Sequence, residues 1–376
     1  MFRSARRFLV LLLVLAVLLA GAVAGGYYWL QSAFHAPGPS KDIVRIQVEQ
    51  GASIRTVLLD LAKQGALQQP RTIELYLRIA RHVQRHQTRI QAGMYEIPAG
   101  ASPAQILELF DQGRVVLEQL TIIEGSRFAD LRHTLDNHAA VTHTLRGKSD
   151  AEVMTALGHP GEFPEGRFFP DTYRFAAKTT DLEILGLAYN AMQRVLDDAW
   201  QHRSADLPFQ TPYAALTLAS IVEKETGLPA ERPKIAGVFV TRLRKGMRLQ
   251  TDPTVIYGLG AGYDGDIHTR DLAADTPYNT YTRAGLPPTP IALPGRESIL
   301  AAVHPQENGE VYFVATGTGD GGHHFSKTLD EHNAAVRSYL DHLRAQQHHG
   351  VVGTAAAKRK GMTQTGAHGA TPEGAQ

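Results

Sequence analysis

Cysteine is absent from the 376 residues. That excludes thiol catalysis, cysteine-based zinc sites and a disulfide framework, and it leaves the compartment to be read from other features. No charge of one sign dominates either: 38 Lys+Arg stand against 37 Asp+Glu, a net charge of +1. Such a balance provides no general field for polyanions and argues against a nucleic-acid partner. No G-x-S-x-G elbow, phosphate-binding glycine loop or HExxH spacing occurs. His323, His324 and His332 lack a ligand spacing, and His133, His138 and His143 share no helical face, so neither metal nor cofactor is expected. Glycine (35) and proline (20) stand near average usage, which excludes collagen-like and wholly disordered chains. The length allows roughly two or three domains with a sizeable core.

What the chain does have begins at its amino terminus. Arg3, Arg6 and Arg7 precede an uncharged run from Phe8 to Leu30. A helix needs about 20 apolar residues to cross a bilayer core. Basic residues stay on the cytoplasmic side, so residues 1–7 are expected in the cytoplasm, 8–30 as a transmembrane anchor, and the remainder outside. Tyr27, Tyr28 and Trp29 stand where an interfacial aromatic belt would form. Ala20, Ala22 and Ala24 offer the alternative of a cleaved signal peptide, but the apolar run continues past them, which favours an uncleaved single-pass anchor.

After a Pro/Gly linker over 31–42, a weak repeat begins. Strand-like Ile43–Val48, Met94–Ile97 and Val115–Ile123 each lead through a glycine turn to a helical pattern. The turns are Gly51-Ala52-Ser53, Gly100-Ala101-Ser102 and Gly125-Ser126, with Ser as the expected N-cap in each. The part over 43–113 resembles a LysM-like module, a family associated with glycan binding. Helices are expected over Asp181–Arg203, over Pro212–Thr226 and around Ile235–Leu243, with Gly246 as a stop. Residues 247–310 look loop-dominated, Val311–Ala315 reads as a strand and Leu329–Gln346 as a closing helix. The polar tail over 348–376 has the composition of a disordered segment. The expected class is α+β, with a mixed catalytic domain over 114–347.

Chemistry concentrates in Leu218-Ala219-Ser220-Ile221-Val222-Glu223-Lys224-Glu225-Thr226. On a helix, Ala214, Leu218, Ile221, Val222 and Glu225 fall within about one third of the circumference. Glu225 therefore interrupts an apolar stripe, and a carboxyl against apolar surface can keep its proton near neutral pH, as a general acid requires. Arg232 or Lys234 could instead neutralise it. Glu223 falls on the opposite face beside Ser220, a face expected to be wet. Further on, Gln250, Thr251, Asp252 and Thr254 form a polar cluster suited to sugar hydroxyls and amides. Tyr257, Tyr278 and Tyr281 offer flat faces with polar tips, and Asn279 and Thr280 offer donors and acceptors. The same residue types also serve as turns and caps.

The blocks Ala219-Ser220-Ile221-Val222-Glu223-Lys224-Glu225-Thr226, Arg248-Leu249-Gln250-Thr251-Asp252-Pro253-Thr254-Val255-Ile256-Tyr257-Gly258 and Tyr278-Asn279-Thr280-Tyr281 resemble the endolytic murein transglycosylases, the YceG-like family. Glu165-Gly166, Phe169-Pro170-Asp171-Thr172-Tyr173, Gly285-Leu286-Pro287-Pro288, His304-Pro305 and Gly321-Gly322-His323 continue the pattern in order. The resemblance covers nearly the whole chain apart from the tail. It implies a lyase that cuts the β-1,4 bond between N-acetylmuramic acid and N-acetylglucosamine in peptidoglycan and leaves a 1,6-anhydro end. Glu225 would be the catalytic acid and base. Gln250, Thr251, Asp252, Tyr257, Tyr278, Asn279, Thr280, Tyr281 and His323 would contact substrate. The expected setting is the inner membrane with the catalytic part periplasmic, among peptidoglycan synthases (penicillin-binding proteins) and the elongation or division machinery. A muramidase-type hydrolase using Glu225 with Asp252, and a non-catalytic glycan-binding scaffold, stay open as alternatives.

Overall fold

The computed structural model describes residues 2–49, 51–84 and 90–344; the tail over 348–376 lies outside them. The described chain mixes helices with three two-stranded sheets and divides into two compact units. The first comprises Met1–Leu120 with 138–143 and 174–181, and the second comprises 121–137, 144–173 and the chain from Leu182 onward.

The first unit opens with a helix from Phe2 to His35, which runs five residues past Leu30. Its stretch Arg7–His35 is long and apolar enough to cross a membrane. A strand–helix–helix–strand arrangement follows. Strand Val44–Val48 pairs antiparallel with Gly93–Ile97, Ile46 opposite Tyr95, and between them lie helices Ile54–Lys63 and Pro70–Gln84. Ile46, Val48, Tyr95 and Ile97 alternate inward onto Val57, Leu58, Leu61 and Phe110. Ser53 caps its helix by accepting from Thr56 N at 3.2 Å, and Ser102 forms a capping box with Gln105.

The third turn departs from the expected repeat. The Ser126 hydroxyl donates back to Ile123 O at 2.6 Å. With that oxygen spent, the helix starts one residue later, at Phe128, and the Asp130 carboxylate accepts from Arg127 N at 2.9 Å.

In the second unit, helix Pro212–Glu225 is central. Every residue from Ala215 to Val222 is buried. It packs against Arg232–Arg244 and Arg296–Val303 in one continuous core. Gly237 is required there: a Cβ at this position would lie 2.0 Å from Gln306 O. Residues 247–310 carry more helix than expected, at Asp252–Leu259, Thr269–Ala273 and Arg296–Val303. Their brevity hides any period, and Pro253 is tolerated because it occupies the first helical turn. Strands Tyr312–Ala315 and His323–Ser326 form an antiparallel hairpin, and residues 329–344 are helical.

Candidate active site

Thr211 begins the central helix by accepting from Ala214 N at 3.2 Å, with Pro212 at its first position. The helix ends at Glu225, where Thr226 turns extended. A carboxylate at a helix C-terminus faces the negative end of the dipole, which favours its protonated form. Burial does more: loss of water pushes the Glu225 carboxyl up to about 7, and the nearby Asp252 charge adds to this. The hydroxyl of Thr251, which donates to Glu225 Oε1, pulls the other way, as do the charges of His323 and Arg242.

The loop bearing Thr251 is held from behind. Gln250, exposed, adopts a left-handed φ of 51°, and its N–H donates to Thr280 O at 3.2 Å. Thr251 N donates to Thr280 Oγ1 at 3.1 Å, and Thr254 Oγ1 donates to Thr251 O at 2.7 Å. Buried Arg242 donates to Leu249 O and to Val311 O, each at 2.6 Å. In front, Tyr281 donates its hydroxyl to Asp252 Oδ1 at 2.5 Å; burial and that carboxylate push the phenol up. His323 is clasped by Glu231, whose carboxylate accepts from its N–H at 2.9 Å and lies 2.8 Å from its Nδ1.

The structure thus gathers Thr251, Asp252, Tyr281 and His323 around Glu225. Thr280 is buried as a brace for Thr251. Asn279 is buried too, and its amide is spent on the carbonyls of Asp271, Leu272 and Ala274 while its oxygen accepts from Tyr281 N. Its place is that of a turn-holding residue. Tyr257 and Tyr278 belong to a second constellation around Glu165. That carboxyl is buried, accepts from Phe128 N at 2.9 Å and from the Tyr257 hydroxyl at 3.1 Å, and is pushed up to about 7 by burial. The Tyr257 and Tyr278 rings meet at 4.8 Å, where Gly258 admits the close approach of Tyr278 Cβ.

Two expectations need correction. The face carrying Glu223 is dry: Ser220 is fully buried, and Glu223, its side chain only 5% exposed, pairs with Arg232 at 3.2 Å. Glu223 also accepts from Gly295 N at 2.9 Å. Arg232 therefore neutralises Glu223, leaving Glu225 to Thr251. Sequence reasoning missed Arg242, Glu231 and the placement of Glu165. Only Glu165 carried a signal, as part of a motif block.

One proton-holding carboxyl, titrating near neutrality and faced by a hydroxyl, a second carboxylate and an imidazole, defines an acid–base site able to give and then retake a proton. The chain belongs to the YceG-like family, whose model matches residues 46–338. An endolytic murein transglycosylase from Bacillus subtilis is 30% identical over 320 residues, covering 80% of this chain and 86% of that protein. One of the same name from Streptococcus pneumoniae is 27% identical over 370 residues, covering 88% of this chain but 64% of the longer relative. A crystal structure of a YceG-like protein from Listeria monocytogenes shares 28% identity over 78% of this chain and 99% of its own, with a TM-score of 0.47.

Proposed function

We propose that the protein is a membrane-anchored peptidoglycan lytic transglycosylase that cuts within glycan strands. The observation that carries this reading is the Glu225 carboxyl at the end of a buried helix, held by Thr251 and keeping its proton to about pH 7. Glu225 protonates the glycosidic oxygen as the bond from muramoyl C1 breaks, leaving a 4-hydroxyl on N-acetylglucosamine. The ionised carboxylate then accepts the proton of the muramoyl 6-hydroxyl, whose oxygen attacks C1 and closes the 1,6-anhydro ring. No water is consumed, so a single carboxyl suffices where hydrolases use two. Asp252 and Tyr281 lie where they can meet the developing charge and the sugar hydroxyls, with Gln250 exposed at the rim.

The positive-inside asymmetry around Phe8–Leu30 supports a cytoplasmic amino terminus and a periplasmic catalytic unit. The strand–helix–helix–strand arrangement of the first unit supports the LysM-like reading and glycan contact there. Peptidoglycan synthases are the partners that fit a strand-terminating role. Mass spectrometry of digested, uncrosslinked strands tests the reaction: anhydro ends are expected, whereas reducing ends would indicate hydrolysis with Asp252, and intact strands a non-catalytic scaffold.

A further inference from the structure

Arg127 has no role in the acid–base chemistry around Glu225, yet it is placed as a binding group. It sits half-buried at the start of helix Phe128–Asp136 with its guanidinium carbon 5.1 Å from the centre of the Tyr257 ring. That ring is fixed because its hydroxyl is tied to Glu165 at 3.1 Å, and its neighbour Tyr278 is tied through its own hydroxyl to Thr289 at 2.9 Å. Both polar tips are thus occupied, and the two rings pack on each other and on the buried core, which fixes the surface on which Arg127 lies.

A guanidinium carries five N–H donors. Arg127 spends one, in a long contact of 3.4 Å to Ile256 O. Among the described residues no carboxylate stands in ion-pair reach of it. The two oxygens of Glu165 accept from Phe128 N and Tyr257, and the Asp130 carboxylate accepts from Arg127's own backbone N–H at 2.9 Å. A cation laid on an aromatic face with its donor fork open suits a planar anion, which for a side chain of this kind means a carboxylate. Tyr257 also shares its short helix with Asp252, beside Glu225. Five residues of helix rise about 7.5 Å, so Tyr257 stands little more than one turn from Asp252 and about 140° around the helix axis.

We propose that Arg127 on Tyr257 anchors a carboxylate carried by the muramoyl 3-O-substituent of the glycan, either the lactyl carboxylate or one of the stem peptide. The inference rests on the glycan-cleaving reading above and adds a determinant of which strands are taken. It makes Arg127 a specificity residue that touches substrate away from the reacting bond, so its removal raises KM and leaves kcat little changed.

The test uses the full chain with Arg127→Gln and Arg127→Lys, on strands with intact stems and on strands stripped to free lactyl groups. A chitooligosaccharide, which carries no carboxylate, serves as competing ligand. Arg127→Gln is expected to raise KM by about tenfold or more, the range for a hydrogen bond to a charged group, and Arg127→Lys by less. Inhibition by the chitooligosaccharide stays at the wild-type level. A KM effect seen only on stripped strands, where removal of the stem frees the lactyl carboxyl from its amide, assigns the lactyl carboxylate; one confined to intact strands assigns a stem carboxylate, and an effect on both assigns a site that takes either. The proposal is overturned if KM is unchanged on both, or if chitooligosaccharide inhibition weakens equally, since Arg127 would then only shape the Tyr257 ring. Wild-type enzyme that retains both strand types but releases no anhydro ends would instead sink the reaction, and strand retention by Arg127→Gln would still read the anchor.

Discussion

Thr251 donates its hydroxyl to Glu225 Oε1 across 26 residues of sequence, and Asp252, the next residue, places a carboxylate near the same group. The hydrogen bond favours the ionised carboxyl and the neighbouring charge favours the protonated one. Adjacent side chains at the start of one short helix thus set the acid strength of Glu225 from opposite directions.

Glu225→Gln removes the proton while keeping the shape of the side chain. Formation of anhydro ends should fall by about 10²–10⁴-fold, the usual share of general acid–base catalysis. In the wild type the first step needs the protonated acid, so kcat/KM should decline as pH rises through about 7. The residual rate of the variant should lack that decline; an unchanged alkaline limb would place the titration on another group.

The opposed influences of Thr251 and Asp252 yield a paired prediction. Thr251→Val removes the donor that lowers the Glu225 pKa, so the alkaline limb should move to higher pH and the rate should drop about tenfold or more. Asp252→Asn removes a charge that raises it, so the limb should move to lower pH, by on the order of half to one unit. Shifts of the same sign in both pH–rate profiles would show that Glu225 does not govern the limb.

Some of this was legible in the chain and some was not, for reasons that differ by residue. The apolar stripe singled out Glu225, yet the helix proved buried from Ala215 to Val222 on every side, so a stripe alone could not separate Glu225 from Glu223. What separates them is their partners, and these come from residues distant in sequence. The same holds for Arg242, a buried cation whose acceptors at Leu249 and Val311 no local pattern reveals. Asn279 and Thr280 looked like sugar contacts because amides and hydroxyls serve ligands and turns alike; only their hydrogen bonds place them in the turn. Strand periodicity and glycine turns, which act over a few residues, located the paired strands of the first unit and the helices after Ser53 and Ser102, but they missed helix Pro70–Gln84 and failed at Ser126, where one hydroxyl chose a different acceptor.

The Glu223–Arg232 pair predicts a stability effect distinct from catalysis. Glu223→Ala leaves the Arg232 guanidinium, its side chain 9% exposed, with only the half-exposed Glu124 carboxylate at 3.9 Å and strips Gly295 N of its acceptor. Loss of one partner from a buried pair costs about 3–5 kcal/mol. Urea unfolding of the variant should show a midpoint lowered accordingly, while the folded fraction keeps the wild-type alkaline limb. Glu223→Gln, which retains an acceptor for Gly295, should lose less.

Glu165 offers the complementary case, a carboxyl whose ionisation opposes folding. Its pKa is raised from the ordinary carboxylate value to about 7, with burial the main cause. In the unfolded chain it ionises near 4.5, so between 4.5 and 7 the folded state binds the extra proton. The stability this contributes is fully present below the unfolded value and is lost as pH rises through about 7. Glu165→Gln cannot ionise, yet its amide oxygen can still accept from Phe128 N and its NH₂ can donate to the Tyr257 oxygen. Relative to wild type, the variant should therefore gain stability on going from pH 5 to pH 8, by on the order of 2 kcal/mol. Melting temperatures of the two proteins measured across that range decide it: parallel curves would mean that Glu165 keeps an ordinary carboxylate pKa, with its charge satisfied by the Phe128 N–H and the Tyr257 hydroxyl.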